Sequence, residues 1–141
     1  DTYGSLAGRL ERLAGELLVQ ALDTSPPFHE QPSDGVTYAE KIGPADRLLD
    51  PRAPAEQLER TVRALNPHIG ARLERPGGAA LGVWRARLAA EEPPPPAGEL
   101  EARGGRLLLG AGPGTLELLE VQPSGGRPMD AAAYLRGHPL G

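Results

Sequence analysis

Two hydrophobic rhythms divide the chain. From Gly4 to Leu22, apolar residues fall at Leu6, Leu10, Leu13, Leu17, Leu18 and Ala21, the i, i+3, i+4 and i+7 spacing of a helix with one apolar stripe. Ser5 has the hydroxyl expected of an N-cap at its start. Thr24 to Asp34, TSPPFHEQPSD, has no period and is rich in proline, so it reads as an extended linker with Phe28 as a surface anchor. A second helix begins at Pro54, whose missing N–H suits a first helical position. Leu58, Val62 and Leu65 form its apolar face, Glu56, Glu59, Arg60 and Arg63 its polar face, and Asn66-Pro67 stops it because proline cannot continue the ladder.

Downstream the period becomes two. Ala71 to Arg75 and Ala80 to Leu88 flank the turn residues Pro76-Gly77-Gly78, a hairpin signal. Alternation puts Trp84, Ala86 and Leu88 on one face of the second strand and Leu81, Val83, Arg85 and Arg87 on the other. Four consecutive prolines within Glu91 to Ala97 predict a stiff connector with no N–H to offer a ladder. Strands follow at Gly98–Ala102, Arg106–Gly110 and Thr115–Val121, and Asp130 caps a short helix through Arg136. The expected core is Trp84, Ala86, Leu88, Leu107, Leu109, Leu116, Leu118 and Val121. A slip of one residue in the strand at 106–110 turns Leu108 inward in place of Leu107. Spacing alone gives a small antiparallel β barrel or sandwich with helices.

A chain of 141 residues buries one modest core, so one domain is expected, with at most a docked helix beside it. Without cysteine there is neither a disulfide framework nor a thiolate metal site, which suits a reducing compartment. No apolar run approaches the ~18 residues of a membrane span, and no signal-peptide pattern is present, so a cytoplasmic location is expected. Asp1 leads straight into a helical pattern, from which we expect a fragment of a longer protein. The net charge of −4 is unevenly spread. Residues 1–35 hold Arg9 and Arg12 against Asp1, Glu11, Glu16, Asp23, Glu30 and Asp34, while the remainder is balanced in sign. A neutral domain is a weak electrostatic trap for nucleic acid, which points to a low-affinity, shape-reading module if RNA is its ligand.

The stretch Gly35 to Pro67, GVTYAEKIGPADRLLDPRAPAEQLERTVRALNP, carries Thr37, Tyr38, Ala39 and Lys41 in a T-Y-A-x-K run, Asp50, and an E-R-x-V-R-A-x-N-P helix end made by Glu59, Arg60, Arg63, Ala64, Asn66 and Pro67. Further on come Val83-Trp84-Arg85-Ala86, Gly98-Glu99-Leu100, Gly112-Pro113-Gly114-Thr115-Leu116-Glu117-Leu118-Leu119 and Gln122-Pro123-Ser124-Gly125-Gly126-Arg127-Pro128-Met129. In this order these motifs resemble the C-terminal domain of bacterial methionyl-tRNA formyltransferase over nearly the whole chain. The resemblance implies a mainly β fold with helices: an OB-like small β-barrel with an inserted helix, preceded by an extended linker and one amphipathic helix. It implies residues 1–23 as the terminal helix of a missing catalytic α/β domain, 24–35 as an interdomain linker, and 36–141 as a tRNA-binding domain. The helix of residues 1–23 would then leave its leucine face partly orphaned.

The same resemblance implies a parent enzyme that formylates initiator Met-tRNA from 10-formyltetrahydrofolate. The Asn, His and Asp that carry the chemistry in that family, and the S-L-L-P string beside the His, do not occur here, so the fragment alone is expected to be inactive. His29, His68 and His138 have no carboxylate or serine at motif spacing. His29 and His138 read as solvated, and His68 as a packing residue. Gly110-Ala111-Gly112-Pro113-Gly114 opens no helix and reads as a β-turn, not a phosphate loop. What remains is contact with RNA phosphates and the shallow minor groove, work for Arg and Lys. Lys41, the sole lysine, stands at the family's basic position, and Arg127 at that of the Q-P-x-G-(K/R) loop. Arg85 and Arg87 share a predicted strand face, and Arg136 lies on the last helix. Each equally suits a solvated or ion-paired surface, and convergence on one side decides. Two other readings stand beside this one: the equivalent domain of a sugar-nucleotide formyltransferase or formyltetrahydrofolate hydrolase, and a purely structural interaction domain.

Overall fold

The computed structural model describes residues 1–140. Helix α1 (Tyr3–Thr24) leads through an extended segment and a 3-10 turn (Ala45–Arg47) to helix α2 (Ala55–Leu65). Strands β1 (Ala71–Glu74), β2 (Ala80–Ala89), β3 (Leu100–Arg103), β4 (Arg106–Gly110), β5 (Thr115–Pro123) and β6 (Met129–Asp130) follow, and helix α3 (Ala131–Gly137) ends the fold. All ladders are antiparallel, in the spatial order β1-β2-β5-β4-β3, and β6 pairs with β5 beyond the end of the β4 ladder.

The mainly β architecture with an inserted helix is as expected, but β1 and β3 do not pair with each other, so the ladder stays open where a closed barrel would continue it. Two short backbone contacts add to the sheet, one at the edge strand β1 and one at the end of β4. Leu49 N–H donates to the Arg72 carbonyl at 2.9 Å beside β1, and Gly98 N–H donates to the Gly110 carbonyl at 3.0 Å beside β4. At Gly110 the connector's backbone comes so close that a Cβ would lie 2.1 Å from the Pro96 carbonyl oxygen, so only glycine fits.

One face of the sheet is the core. Leu58, Val62 and Leu65 of α2 are buried against it with Leu81, Val83, Leu107, Leu109, Leu116, Leu118 and Val121, each large aliphatic side chain worth about 1.5–3 kcal/mol on leaving water. Ala131 and Tyr134 of α3 close one end, with the Tyr134 hydroxyl accepting from Arg75 Nη1 at 2.9 Å. The expectation for β2 needs correction. Pairing jumps between Val83 and Arg85, and again between Arg85 and Ala86, so alternation breaks at this bulge. Leu81 and Val83 therefore enter the core ahead of it, and Ala86 packs against the core after it. Trp84 is half-buried on the opposite side, packed on Gly70, and Leu88 is half exposed at the sheet's end. On β4 both readings of the register meet: Leu107 and Leu109 line the core and Leu108 is equally buried on the other face.

The helix starts also differ from expectation. Pro54 stands at the N-cap of α2, with extended ψ, and Ala55 is the first helical residue. Thr2, not Ser5, caps α1. The Thr2 hydroxyl accepts from Ser5 N–H at 3.1 Å while the Ser5 hydroxyl accepts from Thr2 N–H at 3.0 Å, a reciprocal box. Asp130 occupies the N-cap position of α3, but its side chain makes no capping bond. Helix α1 touches the rest of the fold near its start, where Gly4 N–H donates to the Asn66 carbonyl at 3.1 Å and Tyr3 meets His68 edge-on. None of its residues is buried.

Candidate nucleic-acid interface

The face of the sheet away from the core has two halves, one in which charges are paired and one in which cations stand unpaired among the described residues. Over Leu108, the carboxylate of Glu117 accepts from Arg87 Nε and Nη2 at 2.9 and 2.8 Å and from Arg106 Nε and Nη2 at 2.9 and 2.7 Å. Arg106 also reaches Glu91, and Arg103 donates to Glu101 and to the Pro93 carbonyl, tying the proline connector to β3. The hydrogen bonds from Arg106, then those from Arg87, hold the Glu117 carboxyl below its usual range against the opposing effect of burial. The same bonds, from Glu117 first and Glu91 second, raise the Arg106 guanidinium. Positive charge in this half is spent within the fold.

The other half is open and basic. Arg72, Gly82 and Gln122 lie in one rank across β1, β2 and β5, and their face is opposite the buried Ala71, Val83 and Val121 rank. Together with Arg47 and the Pro123-Ser124-Gly125 turn they line a groove of about 180 Å³. Arg47 donates from Nε to the Gly70 carbonyl at 3.1 Å and from Nη2 to the Ile69 carbonyl at 2.9 Å, so its charge is held in place without a carboxylate. Trp84 Nε1–H donates to Gln122 Oε1 at 2.9 Å, and Gln122 Nε2 donates to the Gly126 carbonyl at 2.9 Å, which braces the turn against β2.

The cations singled out in the sequence are dispersed by the fold. Lys41 is exposed in the extended segment ahead of the 3-10 turn, Arg127 is exposed just beyond the groove-lining turn, and Arg136 is exposed on α3. Arg85 and Arg87 do not share one environment, because the bulge lies beside them. Arg85 lines a cleft beside α2 with Arg63 and Glu59, whereas Arg87 is joined to Glu117. Among the described residues, Lys41, Arg85, Arg127 and Arg136 have no carboxylate partner; nor do Arg47 and Arg72, which no family motif marks. Arg72 was legible as the polar position between Ala71 and Leu73 on a period-two strand. The role of Arg47 depends on carbonyls more than twenty residues away and left no local signal. His138 is exposed, but it stacks on Tyr134 at 4.4 Å between ring centroids, so it is less solvated than expected.

A family model described as "Formyl transferase, C-terminal domain" matches residues 41–139. Methionyl-tRNA formyltransferase of Halorhodospira halophila is 45% identical over 99% of this chain and 46% of its own length. The enzymes of the same name from Rubrobacter xylanophilus and Paracoccus denitrificans are 41% and 40% identical, each over 99% of this chain. The chain thus spans a little under half the length of these relatives. Among solved structures, HypX from Aquifex aeolicus matches with a TM-score of 0.66 at 19% identity, covering 86% of this chain and 22% of that protein, a likeness of fold.

Proposed function

The chain belongs to the family of formyl transferase C-terminal domains, and on that premise we propose that it is the tRNA-binding module of a methionyl-tRNA formyltransferase. In this reading the parent enzyme works in the cytoplasm. It formylates initiator Met-tRNA from 10-formyltetrahydrofolate for translation initiation, and the module positions the tRNA. The observation that carries the reading is the division of the sheet's open face: cations near β3 and β4 are bound to carboxylates, while Arg47 and Arg72 near β1 are not. Phosphate binding needs cations of this second kind, free to replace counterions. Helix α1 fits the same reading as part of the missing N-terminal catalytic domain. Leu10, Leu17 and Leu22 are more than half exposed along it, a stripe that a neighbouring sheet would cover.

Titration of the chain with initiator tRNA at low salt tests this. Binding is expected on the order of micromolar or weaker, given the balanced charge of residues 36–141. Lys41→Ala and Arg127→Ala are each expected to weaken it similarly for any tRNA sequence, and each to lower the slope of log K against log salt by roughly one unit or less. Absence of binding at low salt would overturn the reading. The balanced charge favours the alternative of a sugar-nucleotide formyltransferase domain, which that result would bring forward. Formyl transfer by the chain alone is not expected, because it holds none of the family's catalytic motif, and N-formylation by the purified chain would refute this.

A further inference from the structure

We propose that the groove between Arg47, Arg72 and the Ser124-Gly125 turn is a seat for one backbone phosphodiester of RNA. The inference rests on the tRNA reading above and adds the place of contact. Its floor is Gly82, flanked in the same rank by Arg72 and Gln122. A side chain at Gly82 would stand in the groove, and its Cβ would lie 3.1 Å from that of Gln122. The walls have the chemistry a phosphate needs. Arg47 spends Nε and Nη2 on two main-chain carbonyls, which fixes its guanidinium before any ligand arrives, so little side-chain freedom is lost on binding. Arg72 is exposed and unpaired among the described residues, free to swing onto the ligand. The Ser124 hydroxyl lies on the exposed rim.

The local charge also favours an anion. Glu74 is the acidic group that lines the adjoining cleft with Arg47 and Arg72, so two cations face one carboxylate there. Asp46, the residue before Arg47, accepts from the Gly43 N–H at 2.7 Å and forms no ion pair with Arg47 among the described residues. The turn itself is rigid, because Gln122 joins the Trp84 indole to the Gly126 carbonyl. Arg127, which follows the groove-lining turn in the chain, is a further exposed cation close in sequence to one wall.

The test is tRNA titration of the 141-residue chain and its Arg72→Ser, Ser124→Asp and Arg52→Ser variants across a salt series, with circular dichroism to confirm folding. Arg52 is exposed and paired with Asp50, and serves as the control for loss of a cation elsewhere. The expected result is a loss of affinity of roughly 3–10-fold for Arg72→Ser and for Ser124→Asp. The salt slope should fall by about 0.7–0.9 for Arg72→Ser, and Arg52→Ser should stay within about twofold of the parent. Two results would overturn the seat while leaving the tRNA reading in place: a chain that binds tRNA equally well with Arg72→Ser or with Ser124→Asp, or an Arg52→Ser variant as weak as Arg72→Ser. A parent chain that binds no tRNA overturns both.

Discussion

Replacing Glu117 with glutamine probes the ionic half of the sheet with little change of shape. The Glu117 side chain is 8% exposed and one of its oxygens receives bonds from both Arg87 and Arg106, whose side chains are 62% and 38% exposed. Hydrogen bonds to a charged group contribute about 1.5–3 kcal/mol each when sheltered, against about 1 for neutral ones. Exposure of both guanidinium groups screens much of this, and glutamine keeps an acceptor oxygen. The expected loss is therefore about 1–2 kcal/mol at neutral pH, a fall of roughly 1 M in the urea midpoint for a domain of this size.

The pH dependence distinguishes charge from packing. Because the Arg106 and Arg87 bonds depress the folded-state pKa of Glu117, its contribution is complete above the unfolded value of about 4.3 and is lost as the pH falls through the folded value. Urea unfolding of parent and Glu117→Gln, followed by Trp84 fluorescence at several pH values, should show a gap that is constant from pH 7 to about 5 and narrows below about 4. Equal midpoints at pH 7, or a gap undiminished at the acid end, would refute an ionic origin.

Packing is open to two further tests. Gly110→Ala forces a Cβ to within 2.1 Å of the Pro96 carbonyl oxygen, so the proline connector must leave β4, at an expected cost of about 3 kcal/mol or more; urea unfolding near the parental midpoint would contradict that contact. Leu109→Ala, at a fully buried position, should cost about 2–5 kcal/mol, whereas Leu88→Ala, half exposed, should cost less than about 1. Equal losses would place Leu88 in the core and refute its exposure at the end of the sheet.

The fold was legible wherever neighbouring residues decide the outcome. The apolar positions of α2 and the alternation of β5 are local patterns, and the buried set Leu58, Val62, Leu65, Leu116, Leu118 and Val121 follows them. The bulge at Trp84 was not legible, because it depends on pairing with β5: the residues opposite fix where the ladder slips, and slippage exchanges the two faces. Leu108 is a related case. Its burial needs the connector and the ion pairs of Glu117 above it, contacts made by residues far along the chain. In the candidate site, family motifs drew attention to Lys41 and Arg127, whereas the paired state of Arg87 and the anchored state of Arg47 arise only when distant segments meet.

Net charge hides the property that matters for an anionic ligand. Residues 36–141 balance to zero, and as a uniform distribution they would attract nothing. They are not uniform. Glu91, Glu101 and Glu117 are engaged by Arg87, Arg103 and Arg106 in one half of the open face, where the charges cancel within a few ångströms. Setting those three acids and three bases aside leaves the rest of the domain still balanced in number, so what an anion meets is decided by arrangement: in the cleft beside β1, Arg47 and Arg72 stand with the carboxylate of Glu74. A polyanion samples charge within about one Debye length, roughly 8–10 Å in physiological salt, so it responds to that local excess and not to the sum. Carboxylates that fasten the proline connector thereby also decide where cations remain available, and disrupting Glu117 should release Arg87 and Arg106 to solvent. In a tRNA titration the Glu117→Gln variant, kept at low urea-free stress where it stays folded, should therefore bind at least as tightly as the parent with an equal or steeper salt slope; weaker binding with a shallower slope would show that the ionic half supports the RNA surface by some route other than charge.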